Sequence, residues 1–509
     1  MILNLFSARS DHPLADPKEV KRVIAALPLD NPAKAVDEIA GWLDSLRQAD
    51  DIRVDQFFDV LRQLDDSVQH ALRRLAKDYL HTPRLSKSEE RRLWTINYAY
   101  WGDVAALYAQ CLQRAAQNPK EKGSEAFRAH SPLASARLVA ARATQLKWLE
   151  FRYGAVRDDL WLHLGRAYLA AEAAGYAHKS LQLYPSHSAL TSSAQQYLQA
   201  VVVHASSMDC LTPVEIELAD RLLAHFLPGF VFSAEARPDG VYWIDAARPQ
   251  PPARLAREPE RMTDTLRFVA PGSVPKTLAE VMHRVERGDV PADLNLGGQY
   301  SAKALLPVLR HLAIQWAAQP PLREHQRHAV KTRIAVLHGF DDSFTVFAGE
   351  VARVGKERAA ESWVVENVSL GGFGAGVEDI DGDWLKVGTL LSLQPEGGDN
   401  WVLGVVRRYG RESEASASVG IQSLARQAKS VELRPRVSGF AAAGAVPGIW
   451  LREGGAPGEV RLVLPLASFD LRESLEFTHE GRTHLLTPIE LEESGSGFEI
   501  ARYREHRVD

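Results

Sequence analysis

LREHQRHAVKTRIAVLH, residues 322–338, starts as a charged segment and ends in alternating apolar residues. SFTVFAGEV (343–351), SWVVENV (362–368), WLKVGTLLSL (384–393), WVLGVVRR (401–408) and ASVGI (417–421) repeat that alternation at short intervals. A period of two turns one face of each run to a core and the other to solvent, as half-buried β-strands require. Turn clusters such as PEGGDN (395–400) and RYGRESEAS (408–416) separate the runs and leave no room for crossover helices. Residues 320–428 are therefore expected to form an antiparallel sheet, closed as a small barrel or folded as a sandwich. Apolar runs near 447–452, 459–465, 473–478 and 483–490 predict that 429–509 is also β-rich, as its own sheet or an extension of the first.

Upstream the period changes. AVDEIAGWLDSL (35–46), DQFFDVLRQL (55–64) and QHALRRLAKDYL (69–80) carry apolar residues at helical spacing, and residues 1–227 read as a helical domain. Asp30-Asn31-Pro32, and Ser86 with Glu89, are helix-start signals. Trp161, Leu164, Gly165 and Tyr168, followed by Ala171 and Gly175, fit one copy of a tetratricopeptide opening. A second copy would need Trp where Gln195 stands. Two readings stay open: aromatics filling a helical core, or a degenerate helical repeat. From 228 to 319 the texture is mixed. VFSAEARPDGVYWID (231–245) suggests two strands about a Pro-Asp-Gly turn, 247–261 a Pro- and Arg-rich loop, and 277–287 and 301–317 two further helices. The fold class is α+β and multidomain.

With 509 residues the chain has room for about three domains. It is 45% hydrophobic and 25% charged, an ordinary globular composition. Lys and Arg number 60 against 65 Asp and Glu, a net charge of -5, which argues against a nucleic-acid coat. Cys111 and Cys210 are too few for a disulfide framework or a Cys-rich zinc site. The start lacks a basic, long-apolar signal peptide and no run is long enough to span a bilayer, so a cytoplasmic protein without membrane insertion is expected.

The sequence holds no G-x-x-x-x-G-K-[ST], H-E-x-x-H or G-x-S-x-G, and no catalytic residue is assigned. His325 and His328 have no acidic or Cys partner at metal spacing. Gly397-Gly398-Asp399-Asn400 reads as a hairpin turn. The informative pair of motifs is R-x-x-x-R at Arg323 and Arg327, ahead of the first barrel strand, and N-x-S-x-x-G at Asn367, Ser369 and Gly372, ending the third run. R-x-x-x-R recurs at Arg257/Arg261 and Arg407/Arg411, so alone it says little. The order of motifs and strands says more. Paired guanidiniums can grip phosphate oxygens with forked hydrogen bonds and stack on a flat base. Asn367 and Ser369 offer short polar groups to a base edge. Gly371 and Gly372 are expected to permit positive φ and close backbone approach to a ligand.

On these residues, 320–428 resembles the PilZ domain family of cyclic di-GMP receptors. LREHQRHAV supplies the two arginines, and NVSLGGFGA (367–375) looks like the family's Asp/Asn-x-Ser-x-x-Gly turn. The spacing between the motifs is longer than usual because of an insertion around 348–360. The resemblance implies a binding protein without cofactor whose ligand is cyclic di-GMP, held by Arg323, Arg327, Asn367, Ser369, Gly371 and Gly372. Leu322, just before the first arginine, adds no third guanidinium, which favours one ligand molecule per site. It also implies an arginine segment that is mobile until ligand orders it, and a protein partner met through the helical domain. Arg407 and Arg411 are expected near the opposite end of the barrel. The alternative reading is an interaction scaffold whose barrel binds no nucleotide.

Overall fold

A computed structural model describes residues 11–82, 85–154, 158–298, 300–319, 325–350, 359–379, 384–413, 415–436 and 444–507. The chain divides into two compact units. The first takes Met1–Arg152, Val156–Met208 and Pro213–Pro321, and the second takes Tyr153–Ala155, Asp209–Thr212 and Leu322–Asp509.

The first unit is mainly helical: α1 (Pro17–Ala25), α2 (Pro32–Arg47), α3 (Val54–His81), α4 (Lys87–Gln117), α5 (Ser124–Arg128), α6 (Ser131–Phe151), α7 (Asp158–Ala173), α8 (Ser193–Ala205) and α9 (Pro213–Phe226). The start signals work as expected. The Asn31 side chain accepts from the Lys34 amide, with Pro32 in the first turn. Ser86 accepts from the Glu89 amide at 3.2 Å and donates to the Glu89 carboxylate at 3.0 Å, joining cap and first turn. Helix α6 is buried along nearly all its length, which its Ala-rich sequence allows by letting neighbours approach closely. A short hairpin, β1 (Leu181–Gln182) with β2 (Leu190–Thr191), interrupts the helices, where continuous helix was expected.

A buried acid, its half-buried neighbour and a buried base lie together in this unit. Asp65 of α3 accepts from Tyr100 at 2.8 Å, Tyr108 at 2.7 Å and Gln69 at 2.8 Å. Arg137 of α6 reaches Asp65 at 3.3 Å, Asp66 at 2.6 Å and the Leu183 carbonyl at 2.9 Å, with its guanidinium 4.4 Å from the Tyr184 ring centre. Burial, with Asp65 next, pushes the Tyr100 and Tyr108 phenols well above their ordinary range.

Trp161, Leu164, Tyr168 and Ala171 are all buried on α7, and Tyr168 stacks on Tyr197 of α8 with ring centres 4.6 Å apart. The tetratricopeptide-like residues thus fill a helical core. Gly165 is needed because a methyl there would overlap the Ala246 carbonyl. Ala246 follows a four-stranded sheet ordered β3 (Val231–Ser233), β6 (Leu266–Ala270), β4 (Tyr242–Asp245), β5 (Ala253–Arg254). The two strands read around Pro-Asp-Gly do not pair with each other. The buried strand LRFVA inserts between them, and β5 falls inside the stretch expected to be loop. Helices α10 (Val274–Glu286) and α11 (Ala302–Trp316) complete the unit, so 228–319 packs with the helices as part of one body.

The second unit holds two closed antiparallel barrels. The first comprises β7 (His328–His338), β8 (Glu361–Ser369), β9 (Gly372–Glu378), β10 (Leu390–Pro395), β11 (Val402–Arg411) and β12 (Ser416–Ala425), in the order β10-β11-β12-β9-β8-β7. The GGDN tetrapeptide joins β10 to β11. The run 343–351, expected as a strand, starts instead in a helix, α12 (Phe340–Phe347), and its last residue lies outside the described residues. Phe344 and Val346 fit a two-residue period, but Phe340, Phe344 and Phe347 also fit a helical one, and the helical face is the one buried. Residues 429–509 form their own barrel of β13 (Ala428–Pro435), β14 (Val446–Leu451), β15 (Glu459–Pro465), β16 (Leu475–His479), β17 (Arg482–Ser494) and β18 (Phe498–Arg507). The barrels share a core in which Phe340 and Phe347 of α12 meet Leu390, Leu403 and Val405 on one side and Ile449, Val463 and Phe498 on the other. That second covering explains why β10 is buried on both faces over 390–393, Ser392 included.

Candidate ligand site on the first barrel

Strand register brings the two motifs together. β7 pairs with β8 through His328↔Val368 and Ala329↔Asn367, so Arg327, one residue ahead of β7, falls beside Ser369 at the end of β8. β8 and β9 close a tight hairpin at Ser369↔Gly372, with Leu370 and Gly371 at its tip. Arg327 is exposed, and so is the first half of β7 on both faces. Arg323 lies outside the described residues.

A bulge orients the polar pair. Trp363 and Val365 are buried in the barrel, and strict alternation would send Asn367 and Ser369 inward after them. The β8–β9 register shifts between Val365 and Asn367, so both side chains leave that phase. Asn367 then covers Gly374, where a methyl would overlap its amide. Ser369 is half-buried and its hydroxyl donates to the Gly372 carbonyl at 3.4 Å, a long bond.

The two glycines differ in conformation. Gly371 is not in a positive-φ conformation, and a methyl there would meet the His325 ring at 3.0 Å. His325 therefore lies against the hairpin tip. Gly372 is at positive φ, 158°, as expected, and a methyl there would overlap the Ile421 carbonyl of β12. Its small size lets two strands pass.

Two further arginines stand near the hairpin. Arg426, in the link between the barrels, donates to the Leu370 carbonyl at 3.2 Å. Arg407 of β11 donates to Gln422 at 2.6 Å, and Gln422 pairs with Gly372 across β12 and β9. Its other nitrogens grip both oxygens of Glu493 on the second barrel at 2.5 and 2.6 Å. Arg407 is thus near the motifs, against the expectation of a remote position. Arg411, paired with Ala417 at the other end of β11, is the remote one. Arg426 and His325 were not legible as site residues, since only folding brings them to the hairpin.

The result is an exposed, cation-rich hairpin end, with Arg327, Arg426 and His325 about the short polar groups Asn367 and Ser369. Guanidiniums beside a flat, open turn suit a ligand that joins phosphate charge to a planar base. Among the described residues, no group of His, Cys, Asp and Glu could hold a metal ion, and no helix is long and apolar enough to cross a membrane.

The architecture is that of a multidomain α+β protein, a helical unit followed in the chain by two antiparallel barrels, the first with a basic hairpin end. Residues 18–237 match the family described as the cyclic-di-GMP receptor FimW, N-terminal domain. That similarity covers the helical region and stops short of both barrels. No curated protein and no solved structure matches the chain.

Proposed function

We propose that the chain is a cyclic di-GMP receptor whose ligand sits at the Ser369–Gly372 hairpin end of a PilZ-type first barrel. The observation that carries this reading is the register that sets Arg327 beside Ser369 and His325 against Gly371, joining motifs 40 residues apart. The similarity of 18–237 to a cyclic-di-GMP receptor domain, found in a different part of the chain, supports it independently. In this reading Arg323 and Arg327 hold the phosphates and stack on a base, while Asn367 and Ser369 read a guanine edge. The protein acts in the cytoplasm by binding, with no catalytic step and no cofactor. Ligand binding is passed on, as a rearrangement, to a protein partner of the helical unit.

Titration calorimetry of the full chain with cyclic di-GMP tests the site. Each charge-assisted contact is worth roughly 1.5–3 kcal/mol, so Arg327→Ala is expected to weaken binding about ten- to a hundredfold. The melting temperature should hold, because the side chain is exposed and away from the core. Arg261→Ala is the control: it belongs to an R-x-x-x-R pair, is equally exposed, and stands in the other unit. Arg407 cannot serve, because its loss also breaks the grip on Glu493. Equal affinity in the parent and Arg327→Ala would remove the hairpin end as the site.

A further inference from the structure

The helical unit contains a cavity of about 660 Å³, lined by the β1–β2 hairpin and by α3, α4, α6, α8 and α9. That volume lies within the range of small-molecule sites, roughly 300–1,000 Å³. Among the described residues, its lining includes none of either barrel motif.

Its walls divide by chemistry. Trp101, Trp148, Phe151 and Tyr184 supply aromatic surface and are almost wholly buried. Their positions are set from behind. Trp148 packs edge-on against Tyr79 at 5.1 Å and Phe151 at 5.3 Å, and Trp101 against Tyr100 at 5.4 Å. A ring entering the cavity would meet surfaces already fixed, with little ordering cost. Asn97, Gln196 and Gln199 add neutral amides that can donate and accept at a ring edge.

Charge is distributed unevenly. At one end Lys147 is neutralised by Glu217 at 2.9 Å and Asp220 at 2.8 Å, and Arg221 also binds Glu217, at 2.8 Å. On the α3 side Arg73 and Lys77, one helical turn apart, both line the cavity. Arg73 donates to the Ser186 hydroxyl at 3.1 Å, and neither cation has an acidic partner among the described residues. His187, also in the lining, is held below its usual imidazole range by burial and then by the charges of Arg73 and Arg137. The cavity thus has one positive edge, formed by exposed side chains, and an aromatic interior.

We infer that this cavity is a second ligand site, which takes a mononucleotide: one phosphate against Arg73 and Lys77, with the base among Trp101, Trp148 and Tyr184. A single pair of free cations on one helix face matches a single phosphate. A cyclic dinucleotide carries two phosphodiesters on opposite sides, and the far end of the cavity, already neutralised by its own acids, has no charge to spare for the second. This inference does not depend on the barrel site.

The test uses the full chain and guanosine 5′-monophosphate carrying a fluorescent N-methylanthraniloyl group on its ribose, followed by anisotropy. Saturable binding is expected, displaced by unlabelled GMP. Arg73→Ala/Lys77→Ala should weaken it at least tenfold, with an unchanged melting curve because both side chains are exposed. Arg327→Ala should leave it unaltered, which separates failure here from failure at the barrel. If the double variant were to lose its fold, Ala76→Trp, which fills the cavity from α3, replaces it with the same expected loss. The inference is overturned by absence of saturable binding, by equal binding in the folded variants, or by displacement with cyclic di-GMP but not with GMP.

Discussion

Arg137→Met is expected to destabilise the helical unit by about 3–5 kcal/mol, the usual cost of removing one partner from a buried ion pair. Arg137 is 1% exposed and Asp65 fully buried, so the carboxylate left behind would have no water to replace its counter-charge. Tyr100, Tyr108 and Gln69 would still donate to it, but they carry no charge. The same substitution removes the donor to the Leu183 carbonyl and the cation over Tyr184, and so loosens the hairpin from α6. Against a total stability of about 5–15 kcal/mol for a domain, the loss is large. Urea unfolding followed by circular dichroism should show an early transition for the helical signal. Arg137→Met/Asp65→Leu, which removes both charges, should recover most of the loss. A single variant within about 1 kcal/mol of the parent would show that the pair is not the keystone its burial indicates.

Neither partner could have been picked from the sequence. Asp65 and Arg137 are 72 residues apart, and each reads as an ordinary charge on an amphipathic helix. Only the crossing of α3, α4 and α6 buries them together. The barrels were legible for the opposite reason. A two-residue period is local, and six such runs with tight turns admit few folds. The helix at Phe340–Phe347 escaped because its apolar residues satisfy both periods, and a shared core between two barrels decides the matter. LRFVA was missed as a central strand of its sheet, since Arg267 interrupts its apolar residues and only folding buries that charge against Glu172. At the hairpin end, the turn motif was local and readable. The bulge that turns Asn367 and Ser369 outward, the seat of His325 on Gly371 and the bond from Arg426 to Leu370 all depend on pairings between distant segments.

Gly372→Val is expected to disrupt the first barrel, at a cost of about 3 kcal/mol or more. The sequence suggests a glycine kept for a ligand; the structure shows that the fold needs it too. Any side chain at 372 runs into the Ile421 carbonyl, and backbone cannot swing away as a side chain can. Relief requires separating β9 from β12 at Gly372↔Gln422 and Phe373↔Ile421, which opens the barrel beside the candidate site. Gly371→Ala is the matched comparison. Its methyl would meet only the His325 ring, at 3.0 Å, and an exposed imidazole can move. That variant should melt with the parent. Hydrogen exchange on the full chain should show lost protection along β9 and β12 for Gly372→Val and parental protection for Gly371→Ala. The distinction governs how binding data are read. Lost affinity in Gly372→Val reports a broken barrel, whereas lost affinity in Arg327→Ala, with strand protection intact, reports a lost contact. Parental protection of β9 and β12 in Gly372→Val would mean that the strand crossing tolerates a side chain, and the glycine would return to the ligand.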